Sequence, residues 1–336
     1  MSKVRQPRIN LTYTGTDITE AIAPYLLSVS YTDKLDNDSP DVDIQLEDSF
    51  QLWQNDWFPA AKDQISLTLY YEGEPEQLEA GDFEIDDPQF DFGSGGDSLR
   101  LGAQATPVSK DLREKRSKEY EDITLKAIAE EIATRQGLTL TGEIADVTFE
   151  RLTQDEESDL EFLARISKDY GQLFKVEGTL LIFYNWDDLD SAEAQFSLDR
   201  TTITKFSARK KLSGTYKAAK LTYSKGDDEE EVAVTVDADP PNDSEDVLKI
   251  STRAEDGKQA ELKAKEKLRA ANATEYEGTI TIEGEPYYLA GVNFDLSGFG
   301  KFDGKWQIQQ ARHQINNSGW ICRLKVRRIS GAEEEE

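Results

Sequence analysis

The chain has 336 residues, of which 37% are hydrophobic and 10% aromatic, enough for two or three packed domains. Its 67 acidic residues outnumber its 39 basic residues, and the formal net charge of −28 argues against binding nucleic acid or an anionic membrane through a basic face. The one cysteine, Cys322, excludes an intrachain disulfide. The sequence has neither the apolar core of a signal peptide nor a run long enough to span a membrane, so we expect a soluble cytoplasmic product.

Residues 1–105 alternate apolar and polar side chains over short segments that turn residues separate, a pattern typical of strands. The predicted strands are 8–14, 26–31, 42–46, 65–70, 83–85 and 99–101. Between two of them lies a loop with Trp53, Trp57 and Phe58, an aromatic cluster that we expect to pack in the core. The spacing predicts a first β-barrel or sandwich domain over residues 1–105.

Residues 106–190 predict a small α/β insert domain. Asp122 or Thr124 can cap a first helix, which Gly137 ends. Ser158 and Glu161 form a capping box at the start of a second helix, whose apolar residues share one face. The strands predicted around these helices are 138–140, 147–152, 173–176 and 180–184.

Residues 191–330 return to strand patterning and predict a second β-barrel domain that carries one surface helix. The predicted strands are 207–209, 216–223, 231–236, 279–282, 291–296, 305–315 and 320–328. A Lys/Glu/Ala-rich segment at 255–272 has the narrow apolar stripe of a solvated helix lying across a barrel. Residues 227–230 are expected to form an acidic loop tip, and residues 331–336 are expected to be a disordered acidic tail.

The two β regions share an order of elements: an alternating strand, a glycine turn, a strand of the form G-x-aromatic-x-Ile, a hairpin, and a strand ending in Arg-Leu. This order predicts an internal duplication, and the alternative is a chance alignment of short β patterns. The expected equivalent pairs are Phe83 with Trp306 and Leu101 with Leu324.

Signals of catalysis are absent from the sequence. His313, the only histidine, falls within a strand alternation, which favours a structural or surface role. One histidine and one cysteine argue against a zinc site, and the chain has no G-x-S-x-G motif. The glycine-rich segment 93–96 lacks the Lys-Ser/Thr of a P-loop. We therefore expect no enzyme, no catalytic residue, no metal and no cofactor.

Five motifs carry a resemblance to a known family. They are D-I-T-x-x-I-x-P-Y-L-L-S-V-S-Y-T-D at 17–33, W-x-x-x-W-F-P at 53–59, T-L-x-x-I-A at 124–129, E-S-D-x-x-F-L-x-R-I with a V-x-G-x-L-x-x-F hairpin at 157–183, and a strand pair of the form G-x-W-x-I…H…G-W at 304–320. They resemble the phage late control protein D family, the baseplate hub proteins of contractile tails, which are related to the N-terminal hub region of the type VI secretion spike protein VgrG. The motif residues singled out as structural are Asp17, Trp53, Trp57, Ser158, Phe162, Leu163, Gly178, Trp306 and His313.

The resemblance implies a mainly β fold in which two tube-like β-barrel domains flank the α/β insert. It also implies a homotrimer whose six barrels match a six-fold tail tube on one side and whose three-fold axis matches a trimeric spike on the other. The expected partners are the chain itself, a tail tube protein, a separate spike protein and other baseplate proteins, with no membrane and no specific nucleic acid. The expected location is the virion tail or injection-particle baseplate, assembled in the host cytoplasm.

Two other function classes stay open at this point: an acidic two-barrel binding or adaptor module outside any tail, and an enzyme with no recognisable site. Within the hub interpretation, the acidic surplus suggests a channel that repels DNA phosphates. The alternative is that the charge lies outside and serves solubility. The lumen-facing candidates are Asp43, Glu84, Asp86 and Asp295.

Overall fold

The computed structural model describes residues 5–35, 39–60, 63–105, 114–224, 231–239 and 241–329. Over these ranges the protein is mainly β with a small α/β insert, as the sequence predicted. The predicted acidic tip at 227–230 and the acidic tail lie outside the described residues. No helix in the described ranges is long and apolar enough to cross a membrane.

The N-terminal β region forms an antiparallel sheet around its own core. Its strands, in the order β3-β4-β7-β6-β5-β1-β2, have side chains that alternate between a buried and a polar face. The elements are β1 Pro7–Tyr13, β2 Thr16–Asp17, α1 Thr19–Ile22, β3 Leu26–Lys34, β4 Asp41–Glu47, β5 Gln64–Tyr71, β6 Gln77–Asp91 and β7 Ser98–Gln104. Trp53 is buried as expected, but Trp57 and Phe58 are exposed, so the prediction that this whole loop packs in the core was wrong. The loop runs over the surface, where only its first aromatic ring reaches inward.

The insert packs two helices against short β pairs. Its elements are β8 Arg116–Thr124, α2 Leu125–Gln136, β9 Thr139–Gly142, β10 Thr148–Glu157, α3 Asp159–Lys168, β11 Gln172–Glu177, β12 Leu180–Asn185 and α4 Trp186–Ser191. Thr124 is the residue that caps α2, since its hydroxyl accepts the Ala127 N–H at 3.1 Å. The predicted capping box between Ser158 and Glu161 is present at the start of α3.

The C-terminal β region contains a second small unit that the sequence pattern did not separate from the barrel. Strands β13 Phe196–Asp199, β14 Lys205–Lys210, β18 Tyr276–Glu283, β19 Asn293–Ser297, β20 Gly304–Asn316 and β21 Gly319–Arg328 belong to the main sheet, with a 3-10 turn at Gly300–Phe302. Between β14 and β18, a three-stranded sheet of β15 Ala218–Ser224, β16 Glu231–Asp237 and β17 Val247–Ser251 packs on α5 Gly257–Asn272. The apolar stripe of α5 is fully buried at Ala260 and Ala264.

The two β regions are joined edge to edge. Strand β3 of the first pairs antiparallel with β20 of the second, which gives one 13-stranded sheet with the main order β14-β18-β21-β20-β3-β4-β7-β6-β5-β1-β2. Each region has a hydrophobic cluster, and the cluster of the first region also includes Ile315 and Trp320 from the β20–β21 hairpin. The residue boundaries of the three predicted domains stay a prediction.

Candidate functional site

The two β regions have the same strand order, which confirms the duplication expected from sequence. Strands β5, β6 and β7 form an antiparallel meander, and β19, β20 and β21 form another. In each, the long middle strand has a register shift at the same point, after the pair Ile85–Ala103 and after the pair Ile308–Val326. Phe83 and Trp306 therefore lie at equivalent positions two residues before the shift. Leu101 and Leu324 are equivalent in the facing strands.

The equivalence extends to the outer strands. The order β1-β5-β6-β7-β4-β3 matches β13-β19-β20-β21-β18-β14, and we call these six-strand units repeat 1 and repeat 2. One difference is direction, since β1 is antiparallel to β5 whereas β13 is parallel to β19. One chain thus presents two versions of the same β unit, joined where β3 meets β20.

This junction between β3 and β20 is built around His313. Seven residue pairs run from Gln310–Lys34 to Asn316–Ser28, and the imidazole stacks on the Tyr31 ring with centroids 6.0 Å apart. The Trp320 indole N–H donates to His313 Nδ1 at 3.2 Å, so the ring proton is on Nε2, 2.8 Å from the Tyr288 carbonyl oxygen. Burial lowers the pKa of His313 to about 4, and the ring is neutral at pH 7. His313 is structural, one of the two roles that the sequence favoured.

We expect the stability of the protein to fall below pH 6.5 because of His313. The unfolded chain binds a proton on this imidazole near pH 6.5, but the folded chain binds it only near pH 4, so acid favours unfolding between those values. The loss should reach about 3 kcal/mol at the acid end, at about 1.4 kcal/mol per pH unit. Urea unfolding of the wild type and H313Q at several pH values measures it. Equal slopes of stability against pH in the two proteins would contradict the assignment.

Asp33 ties repeat 1, repeat 2 and the insert together at the junction. Its carboxylate, on β3, accepts a hydrogen bond from Lys175 of β11 at 2.8 Å. Its other oxygen accepts the backbone N–H of Ala290, in the loop before β19, at 3.0 Å. Asp33 is buried, and Lys175 is largely so. Because both oxygens of this buried carboxylate are hydrogen-bonded, it fixes the relative positions of β3, β11 and the loop before β19.

A cleft of about 750 Å³ opens between repeat 2, α5 and the insert. Its basic side chains are mostly held by neighbouring carboxylates: Arg209 by Glu277, Arg269 by Glu266 and Arg327 by Asp190. The guanidinium groups of Arg269 and Arg327 both lie over the Trp186 ring, 4.6 and 4.8 Å from its centroid. Of these ion pairs, the one between Arg327 and Asp190 joins repeat 2 to α4 of the insert. In the described part of the chain, no group of three or more His, Cys, Asp or Glu side chains is arranged to hold a metal ion.

The motif residues predicted from sequence do not gather at one site. Asp17 accepts the Thr19 N–H in an exposed turn, and Gly178 has a positive φ of 54° in the β11–β12 hairpin. Ser158, Phe162 and Leu163 build the insert core and its helix cap. The motifs therefore encode the fold of each unit.

The four carboxylates proposed to line a channel lie on three strands of the two repeats. Asp43 on β4 forms an ion pair with Arg100 at 2.8 Å, while Asp86 and Asp295 are exposed. Glu84 is half-buried on β6, at the pair with Gln104. Arg312 and Arg323 are exposed opposite each other on the same sheet, so the strands also carry cations. The acidic channel wall stays a prediction.

The fold is that of phage tail proteins. The 43 kDa tail protein of prophage MuSo2 from Shewanella oneidensis aligns with a TM-score of 0.69 and 14% identity, covering 96% of this chain and 98% of that one. The E. coli c3393 protein, a component of the type VI secretion system, aligns with a TM-score of 0.61 and 12% identity over 93% of this chain and 75% of its own. No protein-family model matches the sequence.

In sequence, the chain is similar to a baseplate hub protein. A protein of Escherichia phage 186 described as "Probable baseplate hub protein" is 26% identical over 179 residues, which is 53% of this chain and 44% of that protein. The match thus spans less than half the length of that relative. Together with the shared fold, it confirms the resemblance to phage baseplate hub proteins that the motifs indicated.

Proposed function

We propose that the protein is a structural baseplate hub of a contractile phage tail or phage-derived injection system. The observation that carries the proposal is the internal repeat, because each chain supplies two equivalent β units joined through one continuous sheet. Three chains supply six such units, which matches a six-fold tube, while the chains themselves keep three-fold symmetry for a spike. The resemblance to baseplate hub proteins supports this role.

In this role the chain is a homotrimeric adaptor between a tail tube protein and a spike carried on a partner chain, within the baseplate of a virion tail or injection particle. The work is mechanical and requires no catalytic group. The buried Asp33 contact and the β3–β20 ladder keep the two β units of each chain at a fixed angle. That rigidity is what a symmetry adaptor needs.

Electron microscopy of the purified protein tests the proposal. We expect class averages of a three-fold ring with six similar β units around its wall. If the free chain is monomeric, addition of the tail tube protein should produce the ring. An obligate dimer by light scattering, or a chain that stays monomeric with the tube protein present, would contradict the hub role.

A further inference from the structure

The pairing of β3 with β20 has a counterpart in the repeat, a second strand pairing that does not form within the single chain. In repeat 2, β14 takes the place of β3, and in repeat 1, β6 takes the place of β20. Strand β14 pairs with β18 on one edge, and the second half of β6 pairs with β7 on one edge. Within the described residues, no strand pairs with the other edge of either. We propose that the open edge of β14 in one protomer pairs with the open half-edge of β6 in a second copy of the chain, in the register of the internal junction.

The internal ladders fix that register. The starting points are the equivalent residues Arg100 and Arg323. In repeat 1, Arg100 pairs with Gln45, which pairs with Ser28. In repeat 2, Arg323 pairs with Thr281, which pairs with Lys205. Ser28 of β3 thus corresponds to Lys205 of β14. The internal pairs Gln310–Lys34, Arg312–Thr32, His313–Tyr31 and Gln314–Ser30 then become Asp87–Lys211, Gln89–Arg209, Phe90–Ala208 and Asp91–Ser207 between protomers.

Two exposed apolar side chains occupy positions that the internal junction buries. Leu35, just after β3, is 7% exposed, and its N–H donates to the Gln309 carbonyl across the junction at 3.1 Å. Its counterpart after β14, Leu212, is 90% exposed. Ile315 on β20 is 8% exposed, whereas its counterpart Phe92 is 64% exposed. Large apolar groups left in water at interface positions of a repeat indicate a surface that a partner covers.

The charges of the two open edges are complementary. The β6 edge carries Asp86, Asp87 and Asp91, all exposed. The β14 edge carries Lys205, Arg209, Lys210 and Lys211, a basic cluster in a chain of net charge −28. Lys210 contacts Glu275, and Arg209 and Lys211 contact Glu277, in surface ion pairs that a partner can share at small cost. Opposite charges select this pairing over β14 with β14 or β6 with β6.

The contact joins different surfaces of two identical chains, so it is heterologous, and repetition closes a ring when the rotation allows. Pro88 takes the place of Ala311 and has no N–H, so the ladder between protomers has fewer backbone donors than the internal one. Edge charge and side-chain burial therefore carry more of the binding than in the internal junction. This interface rests on the proposed trimer and specifies which edges and which residues form it.

Disulfide trapping tests the interface in the full chain. Asp91 and Ser207 are exposed and are predicted to face each other between protomers, whereas six strands separate β6 from β14 within one chain. Mild oxidation of D91C/S207C should give a covalent trimer on a non-reducing gel, which reductant returns to the 37.9 kDa chain. The native Cys322 is buried and does not compete. The control D87C/S207C is four residues out of register and should cross-link about tenfold less, since disulfides need close Cβ atoms.

A charge exchange gives a second readout. In the D91C/S207C protein, D87K should reduce cross-linking severalfold, and further addition of K211D should restore it. Equal yields from the in-register and control pairs, or no intermolecular species from either with the tail tube protein present, would overturn the proposed interface. If the control pair cross-links better while microscopy still gives a three-fold ring, the register is wrong and the hub function stands.

Discussion

Replacing Asp33 by alanine will lower the free energy of unfolding by about 3–5 kcal/mol, the usual cost of removing one partner of a buried ion pair. The substitution removes the carboxylate that Lys175 contacts at 2.8 Å and the acceptor of the Ala290 N–H at 3.0 Å. The Lys175 ammonium and the Ala290 N–H then lose this acceptor in a region with little access to water. Because the three residues belong to repeat 1, the insert and repeat 2, we also expect unfolding to become less cooperative. Urea unfolding followed by tryptophan fluorescence and by circular dichroism measures both effects.

The control is an ion pair of similar length on the surface. Arg8 and Glu72 meet at 2.7 Å with both side chains more than half exposed, and E72A should cost less than about 1 kcal/mol. D33N keeps an acceptor for Ala290 and removes only the charge. If loss of the charge accounts for most of the lost stability, the free energy of unfolding of D33N will be close to that of D33A. Adding K175M to D33N will then recover part of that lost stability. Equal stabilities of D33A and E72A would show that Asp33 does not hold the units together.

The sequence was sufficient to predict the strands of both repeats because their alternation follows from one buried and one polar face. The match of Gly81–Ile85 to Gly304–Ile308 identified the duplication, since the glycine turn, the aromatic residue and the isoleucine recur at equal spacing. Local signals also placed the insert helices, whose caps depend on residues only three apart in sequence.

Long-range pairing was not predictable in the same way. The β3–β20 ladder joins residues almost 300 positions apart, and no local pattern specifies which edge meets which. The burial of His313 and Asp33 follows from that ladder, so both looked like ordinary polar positions of alternating strands. The unit of β15–β17 and α5 was missed as a separate body because its strands have the same alternation as the barrel strands around it. A narrow alanine stripe, Ala260 and Ala264, was the available signal that the helix packs closely on a sheet.

Replacing Asp159 by alanine will destabilise the insert by about 3–4 kcal/mol, because a fully buried carboxylate there holds three side chains. Arg135 of α2 donates to it through two nitrogens at 3.0 and 2.8 Å, and Gln136 and Gln154 donate at 2.6 and 3.1 Å. Desolvation by itself raises the pKa of Asp159, but the hydrogen bonds from Arg135, Gln136 and Gln154 outweigh it and leave the pKa below its usual value. The charged form therefore stabilises the fold at neutral pH.

The sign of this contribution can be measured. A carboxyl with a lowered pKa in the folded state contributes stability above its unfolded pKa of about 3.9 and loses it as pH falls through the folded value. Wild-type stability should therefore drop below about pH 4 more steeply than that of D159N, which cannot titrate. The exposed pair of Arg151 and Glu119, 3.0 Å apart, supplies the control, and E119A should cost less than about 1 kcal/mol. If D159A costs no more than E119A, Asp159 of the E-S-D motif is not what joins α2, α3 and β10 in this insert.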